Sequence, residues 1–126
     1  MPIQRYEGRP GRPYVPMVKA GSFVFTAGYT GFRPDGSIPD DIDQQVAIIF
    51  DRARANLDKA GSSFDRIVSV TVYFTDQARD RKRFDELFGE AFAGHPPARC
   101  CVGVTGLSDP EKRVEIQFIA MVKEEG

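Results

Sequence analysis

Two charged residues, Arg99 and Glu115, lie inside apolar segments near the C-terminal end of the chain. A guanidinium can bind an anionic group through a planar pair of N–H donors, and a carboxylate can accept or relay a proton. An isolated buried charge is costly, so each residue must be paired or used for binding. The pair could therefore serve a ligand pocket, or it could form ion pairs between subunits that fix an oligomer without any chemistry.

The two segments alternate as β-strands do, and each has two distinct faces. The first strand, over residues 98–104, has a small or apolar face that we expect to pack under helices, made of Ala98, Cys100, Val102 and Val104. The sheet side away from the helices is then predicted to carry Arg99, Cys101, Glu115 and Gln117 among Ile67, Tyr73, Ile119 and Met121. Such a side is too apolar to remain in water, and a surface of this kind usually meets a second copy of itself.

Arg99 and Glu115 are expected to lie too far apart within one chain to touch. If the last two strands pair as a hairpin near Val104 and Val114, the two residues are offset by about four positions, roughly 13 Å at strand rise. We therefore hypothesise that they meet across a subunit boundary and serve one pocket there.

The elements that must position these residues follow the order ββαβαββ. Strands are predicted over residues 14–19, 22–28, 66–75, 98–104 and 114–122. Apolar residues at helical spacing predict one helix from Asp41 to a stop at Gly61, and a second that begins at Thr75 or Asp76. The prediction is one α+β domain over residues 1–126, with two helices on one face of a mixed sheet.

The composition indicates a globular protein without a bulk charge preference. The 126 residues are 41% hydrophobic, and 17 basic residues face 18 acidic ones. Nothing in that balance draws the chain toward nucleic acid or an anionic membrane. The first residues lack the apolar core of a signal peptide, and the longest apolar stretches fall short of a bilayer span. We therefore expect a cytoplasmic protein with no membrane partner, in which Cys100 and Cys101 are reduced.

Metal chemistry and cofactors are not expected. His95 is the single histidine, and it stands before Pro96 and Pro97 with no histidine or cysteine at ligand spacing. We interpret it as a loop residue.

Five segments together carry a family resemblance, namely residues 11–15, 25–28, 67–76, 97–102 and 114–120. In order and spacing they resemble the RidA/YjgF/YER057c family, also described as endoribonuclease L-PSP-like, over about residues 14–122. Pro-Ala-Arg at 97–99 combined with Val-Glu-Ile at 114–116 is the most specific part.

The resemblance implies a chorismate mutase-like fold and a homotrimer whose sheets form a central barrel, with clefts at the subunit junctions. It also implies hydrolysis of reactive enamines and imines, such as 2-aminoacrylate, to 2-oxo acids and ammonia. Arg99 matches the arginine that binds the substrate carboxylate, and Glu115 the acidic residue near the substrate nitrogen and the attacking water. Tyr14, Gly28 and Cys101 match residues that line the pocket.

Four residues depart from the pattern that the resemblance suggests. Ala27 stands where many deaminating members have serine, and Tyr29 is bulkier than the residue often found there. Asp85 stands where asparagine is common in the family, and Gln117 stands where a second glutamate is frequent. These departures leave the arginine in place and leave the substrate open, with an aminomuconate-type deaminase as one relative to consider.

Three other functions compete with a deaminase. An endoribonuclease would use the basic run at residues 79–83, but helical spacing spreads those charges, and we expect no nucleic-acid partner. A nucleophilic Cys101 would need a nearby histidine, which the sequence does not provide. A non-enzymatic, chaperone-like trimer that binds a carboxylate ligand in the same cleft stays open.

Overall fold

Both helices begin where an aspartate caps the backbone. In the computed structural model, which describes residues 2–124, Asp41 accepts the N–H of Gln44 and starts α1, Ile42–Lys59. Asp76 accepts the N–H of Arg79 and starts α2, Gln77–Ala91. Gly61 follows α1 with a φ of 77°, the left-handed conformation that ends helices. The predictions for both helices are confirmed.

Within residues 2–124, seven strands form one mixed sheet, and two helices cover one of its faces. The strands are β1 Ile3–Tyr6, β2 Met17–Ala20, β3 Phe23–Thr26, β4 Tyr29–Thr30, β5 Ile67–Phe74, β6 Ala98–Gly103 and β7 Val114–Met121. Their order is β1-β2-β3-β7-β5-β6, and β4 pairs with β7 beside β3. The predicted α+β class is confirmed, and β2 and β3 form a hairpin.

Two strands were missed by the sequence analysis, and one begins later than predicted. The edge strand β1 is mostly exposed, and β4 has two residues, so neither has an apolar alternation long enough to detect. The strand predicted from Tyr14 begins at Met17, because Pro16 has no N–H to donate to a sheet.

The predicted hairpin of the last two strands is wrong, because β5 lies between them. β6 runs parallel to β5, and β7 runs antiparallel to it. Val70 of β5 pairs with Arg99 of β6 on one side and with Phe118 of β7 on the other. Glu115 lies three residues before Phe118 on β7, two strands away from Arg99. The Cα atoms of Arg99 and Glu115 are then about 14 Å apart by sheet geometry. The expectation that they do not touch within one chain holds, for a different reason.

The predicted orientation of β6 is also wrong. Arg99 and Cys101 pair with the buried residues Val70 and Val72 and share their helix-facing side, whereas Ala98 and Cys100 are exposed. Ile67 of β5, which was predicted on the side away from the helices, also faces them: it is 4% exposed and precedes a bulge. The prediction for β7 is confirmed, with Glu115 on the side away from the helices. An arginine fits the helix side of β6 because β6 is the edge strand, where a long side chain can reach past the helix.

A buried carboxylate joins the start of α2 to the start of β7. The side chain of Asp80 is 1% exposed and accepts hydrogen bonds from Arg113 at 2.6 Å and from Arg79 at 2.9 Å. Burial alone would raise the pKa of Asp80, but the hydrogen bonds and charges of the two arginines outweigh it and lower this pKa.

Asp80→Asn is expected to lower the free energy of unfolding at pH 7 by about 3 kcal/mol, because it leaves the partly buried Arg113 without its counter-ion. Because the fold lowers the pKa of Asp80, the stabilisation provided by its carboxylate is fully present above the pKa of the unfolded state, ~4. This stabilisation is lost as the pH falls through the pKa of the folded state. Urea unfolding of both proteins should therefore converge in acid. Asp43→Asn, which removes an exposed pair with Arg83, is the matched control and should have a much smaller effect.

No helix within residues 2–124 combines the length and the apolar character needed to cross a membrane.

Candidate functional site

A cavity of about 740 Å³ opens between the N-terminal loop that precedes β2 and the paired strands β4 and β7. Three of the five residues predicted for the site, Tyr14, Gly28 and Glu115, line it. Tyr14 lies on the loop and is 62% exposed. The structure therefore brings together residues from three distant parts of the sequence.

Glu115 is positioned by its strand neighbours and by Gly28. It pairs with Thr30 of β4 on one side and with Tyr73 of β5 on the other. A Cβ atom added at Gly28 would lie only 2.7 Å from Cδ and 2.9 Å from Cγ of Glu115. The carboxylate can lie against the backbone there only because residue 28 has no side chain.

Tyr29, one of the departures from the family pattern, fastens the cavity wall. Its hydroxyl donates to the carbonyl oxygen of Pro16 at 2.9 Å and accepts from Asn56 of α1 at 2.9 Å. The side chain is 4% exposed, and this burial raises the pKa of Tyr29. The bulkier residue therefore ties the N-terminal loop to α1 instead of blocking the cavity.

Arg99 lies outside this cavity, at the outer edge of the sheet beside α2. Its Nη1 is 2.9 Å from the carboxylate of Asp85, and its guanidinium carbon is 4.8 Å from the ring centroid of Phe88. The side chain is 22% exposed. Within residues 2–124 this single ion pair leaves other N–H donors of the guanidinium without a protein acceptor. Arg99 is therefore held in place and still able to bind an anion.

Cys101 lies beside Arg99 on the same side of β6 and packs against the apolar core. Burial raises the pKa of its thiol, in spite of the positive charges of Arg99 and Arg81. A thiol protonated at neutral pH is a weak nucleophile. His95 lies in the loop after α2, as predicted, and packs edge-on against Phe64 and Phe92. Cys101 is therefore better suited to line a pocket than to attack a substrate.

The predicted site residues thus form two half-sites within one chain. Tyr14, Gly28 and Glu115 form the cavity half-site, and Arg99 and Cys101 form the edge half-site. The cavity also contains basic residues that the sequence analysis did not single out, Arg9, Arg12, Arg52 and Lys112. They come from three separate segments, so no local motif could have revealed them.

The basic run on α2 is largely neutralised by acidic neighbours. Arg79 binds Asp80, Arg81 binds Asp85, and Arg83 binds Asp43 at 2.6 Å. The surface of α2 is therefore a poor polyanion-binding face.

Across residues 2–124, no group of three or more histidine, cysteine or carboxylate side chains is arranged to hold a metal ion.

Comparisons with known proteins agree with the fold. The family model described as "Endoribonuclease L-PSP" matches residues 7–122. The Escherichia coli K12 protein named "RutC family protein YjgH" is 34% identical over 113 residues, which are 89% of this chain and 85% of that one. The Escherichia coli K12 protein named "Putative reactive intermediate deaminase TdcF" is 36% identical over 122 residues, 94% of this chain and 92% of that one.

Solved structures superpose on almost the whole chain. The crystal structure of yeast Mmf1 has a TM-score of 0.88 at 27% identity and covers 97% of this chain and 100% of its own. The YjgH structure has a TM-score of 0.80 at 34% identity, with 89% and 85% covered.

Proposed function

The chain belongs to the endoribonuclease L-PSP family, whose model matches nearly its whole length. We propose that it is a deaminase of reactive 2-enamine and 2-imino acids. The products would be the corresponding 2-oxo acid and ammonia. The observation that carries the proposal is the carboxylate of Glu115 lying against Gly28 inside the cavity. The name of the TdcF relative, as a reactive intermediate deaminase, agrees with this reaction.

The reaction needs a water molecule, a proton acceptor and a fixed substrate. Water adds to the carbon of the C=N bond while Glu115 accepts its proton, and the proton then passes to the nitrogen. The hydroxyl proton of the resulting tetrahedral carbinolamine then passes through Glu115 to the nitrogen, the C–N bond breaks, and ammonia leaves as the C=O bond of the 2-oxo acid forms. An enamine enters the same sequence after its carbon is protonated to give the imine. No redox step or cofactor is required.

The proposed carboxylate anchor is Arg99 of a neighbouring subunit. In one chain Arg99 and Glu115 lie about 14 Å apart on opposite sides of the sheet, so one small substrate cannot reach both. The sheet side away from the helices supports assembly, because it exposes Phe23 and Phe25, each 41% accessible, next to Met121 and Ile119. We propose a homotrimer that covers this side and brings the edge half-site of one subunit to the cavity half-site of the next.

The edge half-site is suited to a carboxylate. The guanidinium of Arg99 is held by Asp85 on one side and by the ring of Phe88 below, which fixes its orientation. A planar guanidinium binds a carboxylate through two parallel hydrogen bonds. Fixing the carboxylate places the imine carbon at a defined distance from the attacking water, and such positioning can supply a large part of the rate enhancement.

The proposal is tested by forming 2-imino acids from amino acids with an amino acid oxidase and following the release of ammonia and 2-oxo acid. The expected result is a release rate that rises in proportion to the amount of this protein. Release at the uncatalysed rate, together with saturable binding of a 2-oxo acid, would instead identify a carboxylate-binding protein without catalytic activity.

Gly28→Ala is expected to lower kcat/KM for imine hydrolysis by about 10- to 100-fold, because the new methyl group displaces the carboxylate of Glu115. The melting temperature should change little, since the displaced atoms belong to the end of a flexible side chain. Gly89→Ala on α2, where an added Cβ meets nothing within 4 Å, is the matched control. Unchanged activity in the Gly28 variant would show that the position of Glu115 does not matter.

A further inference from the structure

Three cationic side chains surround the ring of Phe32 at the wall of the cavity. The guanidinium carbons of Arg52 and Arg9 are 4.2 and 4.8 Å from the ring centroid, and Nζ of Lys112 is 5.5 Å from it. Each distance is within the range of a cation–π contact. One aromatic ring therefore gathers three positive charges at one place, which we call the cation cluster.

The positive charge of the cluster is poorly compensated by the protein. Arg52 donates to the backbone carbonyl oxygens of Thr30 and Phe32, which carry no formal charge. Lys112 donates to Ser108 at 2.8 Å, and its contact with Asp109 is long, at 3.9 Å. Burial lowers the pKa of Arg52, the nearby Tyr29 opposes this change, and repulsion from Arg9 adds to it. A bound anion would relieve this repulsion.

The cavity as a whole has the same character. Its lining contains four cationic side chains, namely the three of the cluster and Arg12, and two carboxylates, Asp109 and Glu115. Within residues 2–124, neither Arg9 nor Arg12 forms an ion pair with a carboxylate of its own chain. The chain as a whole carries a formal charge of −1, so this local excess of positive charge is a property of the cavity.

The cluster lies close to the proposed catalytic carboxylate. Arg52 donates to the carbonyl oxygen of Thr30, and Thr30 is the strand partner of Glu115. Thr30 is therefore the one strand residue that links Arg52 to Glu115. The cation cluster and Glu115 line the same cavity of about 740 Å³.

We propose that the cation cluster binds a second carboxylate of the substrate, at the end of its side chain, so that the preferred substrates are dicarboxylic 2-imino acids. This inference rests on the proposed function, in which Arg99 of the neighbouring subunit binds the carboxylate next to the imine. The imine would then lie near Glu115, with one acidic group at each end. Amino acids with acidic side chains are the source of imines of this class.

The test compares two imines of equal chain length, 2-iminoglutarate and 2-iminopentanoate, each formed by enzymatic oxidation of its amino acid. Wild-type protein is expected to prefer 2-iminoglutarate by about 10-fold or more in kcat/KM, the size of a charge-assisted contact. The double variant Arg9→Met/Lys112→Met should lose this preference, because its kcat/KM should fall about 10-fold more with 2-iminoglutarate than with 2-iminopentanoate. Arg52 is left unchanged because it supports the backbone of residues 30–32.

Arg5→Met is the matched control, because Arg5 is an exposed arginine on β1 that does not line the cavity. Circular dichroism should show the same melting temperature for all three proteins. Equal rates of wild-type protein with both imines would overturn the inference and leave the proposed function standing. A parallel loss with both imines in the double variant would also overturn it, because the cluster would then bind the carboxylate that both substrates share.

If neither imine is hydrolysed, the proposed function fails, and calorimetry still tests the cluster. Binding of 2-oxoglutarate at least about 10-fold tighter than 2-oxopentanoate, with the difference lost in the double variant, would support a site for dicarboxylic acids. Equal binding of the two oxo acids would reject it.

Discussion

Arg99→Ala is expected to reduce kcat/KM for 2-imino acid hydrolysis by at least about 100-fold, because the substrate loses the group proposed to bind its carboxylate and fix its position. The fold should survive, since Arg99 lies on an edge strand and its one ion pair is with Asp85, whose side chain is 44% exposed. Steady-state kinetics, a melting curve and a measurement of oligomeric state on the same preparation check the three parts of this prediction.

Two further variants separate the anchor role from a general loss of charge. Arg81→Ala also removes an ion pair with Asp85 and should keep nearly full activity. Arg99→Lys keeps the charge but loses the planar fork, so an intermediate activity is expected. An Arg99→Ala protein as active as wild type would show that the substrate carboxylate binds elsewhere.

Glu115→Gln is expected to reduce kcat by about 100-fold, the usual contribution of one positioned proton acceptor. Glutamine has nearly the same shape, so it can occupy the space against Gly28, and KM should change much less than kcat. Steady-state kinetics check both expectations.

Glu111→Gln is the control for Glu115→Gln, because Glu111 is an exposed glutamate outside the cavity lining. Retention of the wild-type rate in Glu115→Gln would assign the proton transfer to a water molecule bound by the backbone. The role of Gly28 would then be to bind that water.

Local sequence signals predicted the elements well, because each helix carries its own start and stop. Asp41, Gly61 and Asp76 act through neighbours a few residues away, so their effects can be derived without the rest of the chain. β4 could not be derived in this way. It has two residues and exists because β7 offers it a partner more than eighty positions later in the sequence.

The orientation of Arg99 shows where alternation in a strand stops being informative. A period of two shows which residues share a face and does not show which face turns inward. The small residues Ala98 and Cys100 suggested an inward face, yet β6 packs with Arg99 and Cys101 toward the helix. The reason is the position of β6 at the sheet edge, which follows from the strand order and from β5 lying between β6 and β7.

The cavity half-site was predicted through the family resemblance, and the cation cluster was missed. Tyr14, Gly28 and Glu115 each lie in a segment that matches the family. Arg9, Arg52 and Lys112 come from a loop, a helix and a second loop, and they become neighbours only when all three approach the ring of Phe32. Contacts of this kind depend on the tertiary structure, and no spacing in the sequence records them.

The central claim is that one active site takes Arg99 from one subunit and Glu115 from another. Its most direct test mixes two inactive proteins, Arg99→Ala and Glu115→Gln, by unfolding and refolding them together in equal amounts. In the proposed trimer, mixed assembly brings an Arg99 from one variant to a Glu115 from the other, so activity should return to about a quarter of the wild-type value under random assembly. A mixture that co-assembles and stays inactive would place both residues in the same subunit's site and contradict the account.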